Sequence, residues 1–161
     1  MFAGESSHTL DEKNRLVIPR RILDALEKEE DRERFYVTRG IEGCLYLVPA
    51  VRFEGISANL GGRSFQEKGD ARRFKRLLFS KTQLVFLDAQ NRILLPDALK
   101  AEAEIDREVV VVGVGDRVEV WSAPRWQAFQ EAMNPRFDEL ADLLEGGPPG
   151  TPPGTPGDRR A

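Results

Sequence analysis

One motif occurs twice in the sequence, as LDEKNRLVIP at residues 10–19 and as LDAQNRILLP at residues 87–96. The two copies lie 77 positions apart and share a leucine, an aspartate, an asparagine, an arginine and a final proline. Self-similarity at a fixed distance predicts a repeated structural unit, and 161 residues suit one domain or two small ones. The repeat therefore restricts the fold to an arrangement with two equivalent halves.

Each half predicts the same order of elements: strand, turn, strand, short helix, strand, turn, strand. Apolar runs surround glycine-containing turns at residues 35–49 and 109–122, which is the pattern of a β-hairpin. A candidate helix follows each hairpin and carries an aromatic residue, Phe53 or Trp126. The predicted fold class is α+β, mainly β, with an internal pseudo-twofold repeat.

The motif predicts a tight hairpin turn between two strands. Asn14 and Asn91 occupy the position at which such a turn needs a residue that tolerates a positive φ. Asp11 and Asp88 can accept hydrogen bonds from the backbone amides of their own turns. We therefore favour a structural role for these carboxylates over a catalytic one.

Charge distinguishes the two copies. Residues 11–21 contain two acidic and four basic side chains, a net charge of +2, whereas residues 88–98 contain two acidic and one basic, a net charge of -1. Because nucleic acid is a polyanion, the first copy suits phosphate binding and the second suits protein contacts. The basic residues of the first copy are Lys13, Arg15, Arg20 and Arg21.

Two roles are open for the motif arginines, Arg15 and Arg92. Each follows its turn, where it can pair with the motif aspartate or project outward as a free cation. Arg92 has no basic neighbour in its copy of the motif, so we expect it to close its own turn or an interface.

Two further segments predict helices with one apolar face. Residues 20–30 predict a short amphipathic helix, and residues 69–80 predict a second that begins with Asp70 as its N-cap. The second helix is basic, which fits either a nucleic-acid-binding stripe or, as we favour, a solvated and salt-bridged face. The apolar residues of the two helices are Ile22, Leu23, Leu26, Phe74, Leu77 and Leu78, and the basic residues of the second are Arg72, Arg73, Lys75 and Arg76.

The C-terminal part predicts two helical pieces, at residues 124–133 and 135–145, separated at Pro135. Beyond them, residues 146–161 are rich in glycine and proline and offer no apolar side chain to bury except a final alanine. This composition predicts a disordered tail.

Catalytic chemistry has little support in the sequence. His8 is the only histidine and Cys44 the only cysteine, so neither a histidine metal cluster nor a CxxC zinc pair is available. The glycines of residues 113–118 lack the third glycine of a dinucleotide-binding loop and fit a hairpin turn instead. We expect no enzyme activity, no metal and no cofactor.

The composition favours a soluble, cytoplasmic protein. The lone Cys44 is expected to be a buried strand residue in a reducing compartment, and no stretch of 18 consecutive apolar residues exists. The formal net charge of -3 argues against a uniformly basic surface, so any affinity for nucleic acid depends on local patches.

Four segments together carry a family resemblance: residues 1–19, DARRFKRLLFS, the second motif copy and VVVVGVGDRVEVWS. In this order and spacing the chain resembles the MraZ family of bacterial transcriptional regulators over about residues 1–144. The hallmark of that family is D-x-x-x-R, matched here by Asp11 with Arg15 and by Asp88 with Arg92. The family usually has glycine before the motif arginine, where this chain has asparagine, and often a basic residue where this chain has Ala3.

The resemblance implies a domain organisation. It predicts two tandem AbrB-like (SpoVT-AbrB) swapped-hairpin barrel domains with short flanking helices, at residues 5–52 and 81–124. A linker with a helix would occupy residues 53–80, and C-terminal helices residues 125–145.

The resemblance also implies a function. Proteins of this family form ring-shaped homo-oligomers that bind direct repeats in the promoter of the division and cell-wall gene cluster, usually as repressors. We therefore expect a nucleoid-associated DNA-binding regulator whose partners are double-stranded promoter DNA and other copies of itself, with no membrane and no small-molecule substrate. The alternative is an AbrB-like protein-interaction or antitoxin-type module that does not recognise an operator. The predicted DNA-binding residues are Lys13, Asn14, Arg15, Arg20 and Arg21, and the predicted structural residues are Asp11, Asp88, Asn91 and Arg92.

Overall fold

The computed structural model describes residues 1–61 and 69–144 of the chain. The predicted tail at residues 146–161 lies outside this part. The chain divides into two compact units, Met1–Arg125 and a second that begins at Trp126. Among the described residues, no helix has the length and apolar character needed to cross a lipid bilayer.

The elements follow the predicted order in both repeats. The strands are β1 (Glu5–Thr9), β2 (Arg15–Val17), β3 (Arg34–Arg39), β4 (Leu45–Pro49), β5 (Gln83–Phe86), β6 (Arg92–Leu94), β7 (Glu108–Gly113) and β8 (Val118–Ser122). The α-helices are α1 (Arg20–Asp24), α2 (Ala50–Gly61), α3 (Gly69–Lys81), α4 (Asp97–Glu102), α5 (Ala123–Met133) and α6 (Phe137–Asp142). Short 3-10 turns occupy Glu29–Arg32, Ile41–Gly43 and Asn134–Arg136.

The two repeats exchange strands. A six-stranded antiparallel sheet has the order β1-β7-β8-β4-β3-β5, and a two-stranded sheet pairs β2 with β6. Thus β1 of the first repeat pairs with β7 of the second, and β5 of the second pairs with β3 of the first. The local prediction that the strands beside each motif turn pair with one another as a hairpin is wrong, because each strand finds its hydrogen-bonding partner in the other repeat. The exchange is the swapped-hairpin arrangement that the family resemblance implies.

A pseudo-twofold axis relates the repeats at the centre of the two-stranded sheet. Leu16 pairs with Ile93, its own counterpart 77 positions later, and both side chains are fully buried. The same buried cluster contains large apolar side chains from both repeats, so each repeat completes the core of the other. These residues include Leu10, Leu16, Phe35, Leu45, Leu47, Ile93, Leu99, Val109 and Val120.

The β-hairpins that the glycine-containing turns predict are present. β3 pairs with β4 across the Ile41–Gly43 turn, and β7 pairs with β8 across residues 114–117. Residues 113–118 therefore form a hairpin turn rather than a nucleotide-binding loop, as predicted. Cys44 is buried as expected but immediately precedes β4, so its assignment to a strand is wrong by one position.

The first predicted helix is shorter than its apolar spacing suggests. α1 ends at Asp24, although Leu26 beyond it is buried with the rest of the predicted face. The Leu26 amide donates to the carbonyl of Leu23, a tight three-residue turn, and the Leu26 carbonyl accepts hydrogen bonds from Arg32 at 2.8 and 3.2 Å. A local side-chain hydrogen bond from Arg32 thus occupies the carbonyl that a longer helix would use.

The second predicted helix, α3, is present, but Asp70 is not its N-cap. The helix already includes Gly69, and Asp70 lies in the first turn, where its carboxylate accepts a hydrogen bond from Arg73 at 2.8 Å. This pair agrees with the salt-bridged face that we favoured for the basic residues of the helix.

The unit that begins at Trp126 contains most of α5 and all of α6. The predicted break at Pro135 is confirmed, because a 3-10 turn at Asn134–Arg136 separates the two helices. Trp126 and Phe129 stack within this unit, with ring centroids 5.4 Å apart.

Candidate nucleic-acid interface

The first motif copy forms a turn that its own side chains close. Asn14 has a φ of 59°, the left-handed conformation that asparagine tolerates better than most residues. Asp11 Oδ1 accepts hydrogen bonds from the backbone amides of Lys13 and Arg15, both at 2.9 Å. The backbone amide of Asn14 donates to the Asp11 carbonyl at 3.0 Å. This network fixes the direction in which the side chains of the turn leave the backbone.

The second motif copy has the same geometry. Asn91 also has a φ of 59°, and Asp88 Oδ1 accepts hydrogen bonds from the backbone amides of Gln90 and Arg92 at 2.9 Å. The structure thus places both motif aspartates as local acceptors at the base of their turns.

The two turns are tied to each other across the pseudo-twofold axis. The Ile18 amide donates to the Asn91 carbonyl at 2.8 Å, and the Leu95 amide donates to the Asn14 carbonyl at 3.0 Å. Lys100, from α4 of the second repeat, donates its ammonium to Asn14 Oδ1 at 2.7 Å. The two motif copies therefore form one continuous surface rather than two separate sites.

The motif arginines differ in how much of each guanidinium is engaged. Arg15 donates Nε to Asp11 Oδ2 at 2.6 Å, and within the described residues its two terminal nitrogens make no hydrogen bond. Arg92 donates Nε to Asp88 Oδ2 at 2.8 Å and Nη2 to Gln90 Oε1 at 3.1 Å, and its Nη1 lies 3.7 Å from Asp11 Oδ2. Of the two alternatives that the sequence left open, the structure shows pairing with the motif aspartate in both copies. Both terminal nitrogens of Arg92 lie near a protein acceptor, whereas those of Arg15 hydrogen-bond to none among the described residues.

The other basic side chains of the first copy differ in their surroundings: two are exposed to solvent, and one is hydrogen-bonded to the protein. Lys13 is exposed, and the side chain of Arg20 is 82% exposed, with its Nε 3.3 Å from Asp24. Arg21 instead donates hydrogen bonds to protein acceptors, which are the carbonyls of Ala3, Gly4 and Val111 and the hydroxyl of Ser6. Arg21 thus fastens the start of β1 to the sheet.

The electrostatics of the turns keep both motif carboxylates ionised. Hydrogen bonds from the Arg15 backbone, the Arg15 guanidinium and the Lys13 amide hold the pKa of Asp11 below its ordinary value of 3.8, against a smaller desolvation effect. At Asp88, desolvation raises the pKa, but the hydrogen bonds from Arg92 and Gln90 outweigh it and leave the pKa lowered. Each carboxylate therefore stays charged and continues to orient its arginine at neutral pH.

Sequence reasoning missed Lys100. Its position in the last turn of α4 gives no indication that the side chain reaches the Asn14 turn of the other repeat. The contact depends on the strand exchange, which brings the start of α4 beside the first motif copy. Asp97, also from α4, approaches the Asn14 side-chain amide at 3.4 Å.

Cys44 and His8, the residues with the most reactive side chains, both contact neighbouring groups of the protein. Burial raises the pKa of the Cys44 thiol to about 12, and its sulfur lies 3.3 Å from the Ile41 carbonyl. His8 Nε2 lies 2.7 Å from Ser6 Oγ, and burial together with the nearby Arg21 lowers the pKa of the imidazole. Within residues 1–61 and 69–144, no three histidine, cysteine, aspartate or glutamate side chains come together to hold a metal ion.

The exchanged hairpins and the paired motif turns define a tandem AbrB-like protein in which two swapped-hairpin domains share one chain. Sequence comparison gives the particular family: residues 1–77 and 78–145 each match the family model described as "MraZ protein, putative antitoxin-like". The chain belongs to the MraZ family.

Relatives of this family share most of their length with the chain. A protein named transcriptional regulator MraZ from Moorella thermoacetica is 40% identical over 144 residues, which span 89% of this chain and 96% of that protein. Proteins of the same name from Heliobacterium modesticaldum and Lactiplantibacillus plantarum are 37% and 38% identical over 144 residues, again 89% of this chain and 96% and 98% of theirs. The chain is therefore a member of a family of transcriptional regulators.

Proposed function

We propose that this protein regulates transcription by binding double-stranded promoter DNA through the first motif turn. The observation that carries the proposal is the unequal use of the two motif arginines. Among the described residues, the terminal nitrogens of Arg15 make no hydrogen bond, whereas Arg92 donates hydrogen bonds from Nε and Nη2 and forms an ion pair with Asp11 through Nη1. A guanidinium that is oriented through Nε and presents two parallel donors suits bidentate contact with guanine or with a phosphate.

Lys13 and Arg20 extend this contact along the DNA backbone. Both are exposed and lie on either side of Arg15 in sequence, so they suit phosphate contacts that set affinity and register. Asn14 and Arg21 contribute indirectly, because Asn14 holds the turn beside Lys100 and Arg21 holds the start of β1. In this proposal the domain at residues 5–52 faces the DNA and the domain at residues 81–124 supports it.

The protein acts as a ring-shaped homo-oligomer on short direct repeats. One motif turn offers few donors, so a single subunit binds weakly. Several turns on one assembly engage successive repeats at a high effective concentration, which increases the overall affinity without new contacts. The family resemblance supports the ring.

The proposed target is the promoter of the bacterial division and cell-wall gene cluster, where binding represses transcription. The family resemblance suggests this target, and membership in a family of proteins named transcriptional regulators supports the regulatory role. Chromosomal DNA in the cytoplasm is the corresponding location.

A second candidate function is that of a protein-interaction module of the antitoxin type. The description of the matching family model as antitoxin-like favours it. Such a module would use the same fold to hold a protein partner without recognising an operator.

A gel-shift titration tests the proposal against this alternative. The probe is duplex DNA from the region upstream of the organism's own division cluster, in versions with one, two and four copies of its direct repeat. We expect affinity to rise steeply with repeat number and to fall with added salt. Absence of binding at low salt would reject the DNA-binding function, and equal affinity for one and four repeats would reject the multivalent ring.

A further inference from the structure

An apolar groove opens on the first unit, away from the motif turns. It has a volume of about 600 Å3, and its apolar walls come from the β3–β4 turn, α2 and α3. Two large apolar residues of the wall are more than half exposed to solvent: Phe74 is 55% exposed and Leu77 is 61% exposed. The apolar wall residues include Ile41, Phe53, Ile56, Phe74, Leu77 and Leu78.

The second unit presents an apolar helix face. Phe137 and Leu140, three residues apart, lie on one side of α6. Leu144 adds a third apolar side chain just beyond the end of the helix, where its amide donates to the Ala141 carbonyl at 3.1 Å. Phe137 and Leu144 are both 66% exposed. A short amphipathic helix with this spacing is the kind of element that apolar grooves accept.

The two surfaces are also complementary in charge. α3 contains one acidic and five basic side chains, a net charge of +4. α6 contains three acidic side chains and no basic one, a net charge of -3. The charged residues that line the groove itself balance one another, since Arg39 and Arg117 are basic and Glu42 and Asp116 are acidic. The net attraction for an acidic helix therefore comes from the basic side chains of α3 at the border of the groove.

We propose that the groove of one copy receives α6 of a second copy of this chain. The proposal rests on the self-association within the proposed function and identifies the contact that produces it. Each chain carries one groove and one α6, so the contact is between unlike surfaces and can repeat from copy to copy. A contact of this kind closes into a ring when the rotation between successive copies permits it.

Two exposed positions test the contact from its two sides. Leu77→Ser alters the groove, and Leu144→Ser alters the apolar surface formed by α6 and the two residues that follow it. Because both side chains are mostly exposed within one chain, neither substitution should change the melting temperature of the isolated subunit. We expect each to weaken assembly by about tenfold or more, measured as molar mass against concentration by light scattering.

Matched controls lie on the same helices. Arg76→Lys is adjacent to Leu77 but outside the groove lining, and Asp142→Glu keeps the charge of α6 without touching its apolar face. Both controls should assemble much more strongly than the two serine variants.

Mixing the two serine variants gives the decisive result. The Leu77→Ser protein keeps an intact α6 and the Leu144→Ser protein keeps an intact groove, so an equimolar mixture should form mixed dimers in which each variant is present once. Wild-type mass in both single variants, or failure of the mixture to pair, would overturn the groove contact while leaving the proposed oligomer standing. A monomeric wild-type protein would overturn both, whereas DNA binding, measured separately on a single repeat, would remain a test of the regulatory function alone.

Discussion

Arg92 of the second motif reaches Asp11 of the first, with Nη1 3.7 Å from the same Oδ2 that accepts the Nε of Arg15 at 2.6 Å. Asp11 therefore contacts two arginines, Arg15 of its own motif and Arg92 of the other repeat. The consequence is an asymmetry between residues that occupy equivalent positions in the repeat. Both terminal nitrogens of Arg92 lie near acceptors of the protein, whereas those of Arg15 form no hydrogen bond among the described residues.

Replacement of the two arginines should separate these roles. Arg15→Ala should weaken DNA binding by about 1 to 3 kcal/mol and relax preference at one base if the side chain reads guanine, or lower the salt slope by about one if it holds phosphate. Arg92→Ala should act through stability or assembly and leave the salt dependence of the remaining binding nearly unchanged. The measurement is a salt titration of both variants on one operator fragment. Equal losses of affinity and salt slope in two fully assembled variants would contradict the division of roles.

The neighbouring arginines Arg20 and Arg21 should also differ. Arg20→Ala should weaken binding to all DNA sequences alike and leave the melting temperature unchanged, because the side chain is exposed. Arg21→Ala should lower the free energy of unfolding by about 1 to 3 kcal/mol, because it removes hydrogen bonds to the carbonyls of Gly4 and Val111. Chemical denaturation and gel shifts on both variants make the comparison. A destabilised Arg20→Ala protein with a fully stable Arg21→Ala protein would contradict it.

The positive φ at position 91 should destabilise the fold when asparagine is replaced by a residue that does not tolerate this conformation. Asn91→Ala should destabilise the fold by about 1 kcal/mol, since alanine is strained in the left-handed region, whereas Asn91→Gly should be nearly neutral. The Asn91 side chain is exposed, so the comparison isolates the backbone conformation. The free energy of unfolding in urea provides the measurement. Equal effects of the two substitutions would show that the turn does not depend on this conformation.

His8 should make stability depend on pH. Its pKa is lowered in the folded state from the ordinary value of 6.5, so the unfolded chain binds the proton more readily. The stabilisation is therefore complete above pH 6.5 and is lost as the pH falls through the lowered folded-state value. The His8→Gln variant should lose less stability than the wild-type protein between pH 7.5 and about 5, measured by thermal unfolding at each pH. An identical pH profile for the two proteins would exclude His8 as the cause.

Cys44 should be unreactive in the native protein. Its thiol has a pKa raised to about 12 by burial, so little thiolate forms at pH 8. A thiol-specific chromogenic reagent should therefore label the folded chain far more slowly than the chain in denaturant. Since Cys44 is the only cysteine, the signal has one source. Rapid labelling without denaturant would show that the region around the Ile41–Gly43 turn opens readily.

Much of the local structure follows from short-range chemistry. Asparagine at 14 and 91 tolerates a positive φ, and an aspartate three residues earlier can accept the amides of the turn, so the two turns are predictable from the motif alone. The hairpin at residues 109–122 is also predictable from local sequence, because a run of valines favours a strand and the glycines that follow favour a turn. Each of these features depends on residues within a few positions of one another.

Other features depend on residues far apart in the chain. The motif does not predict that β1 pairs with β7 instead of β2. Either partner could form the backbone hydrogen bonds of an antiparallel strand pair equally well. The exchange decides that Lys100 reaches Asn14, that Arg92 reaches Asp11 and that Arg21 is fastened to Val111. The sequence by itself determined the repeat, the turns and the excess of positive charge in the first copy. Only the tertiary structure decided which of those cations remain available to a partner, because availability depends on the acceptors that the other repeat brings within hydrogen-bonding distance.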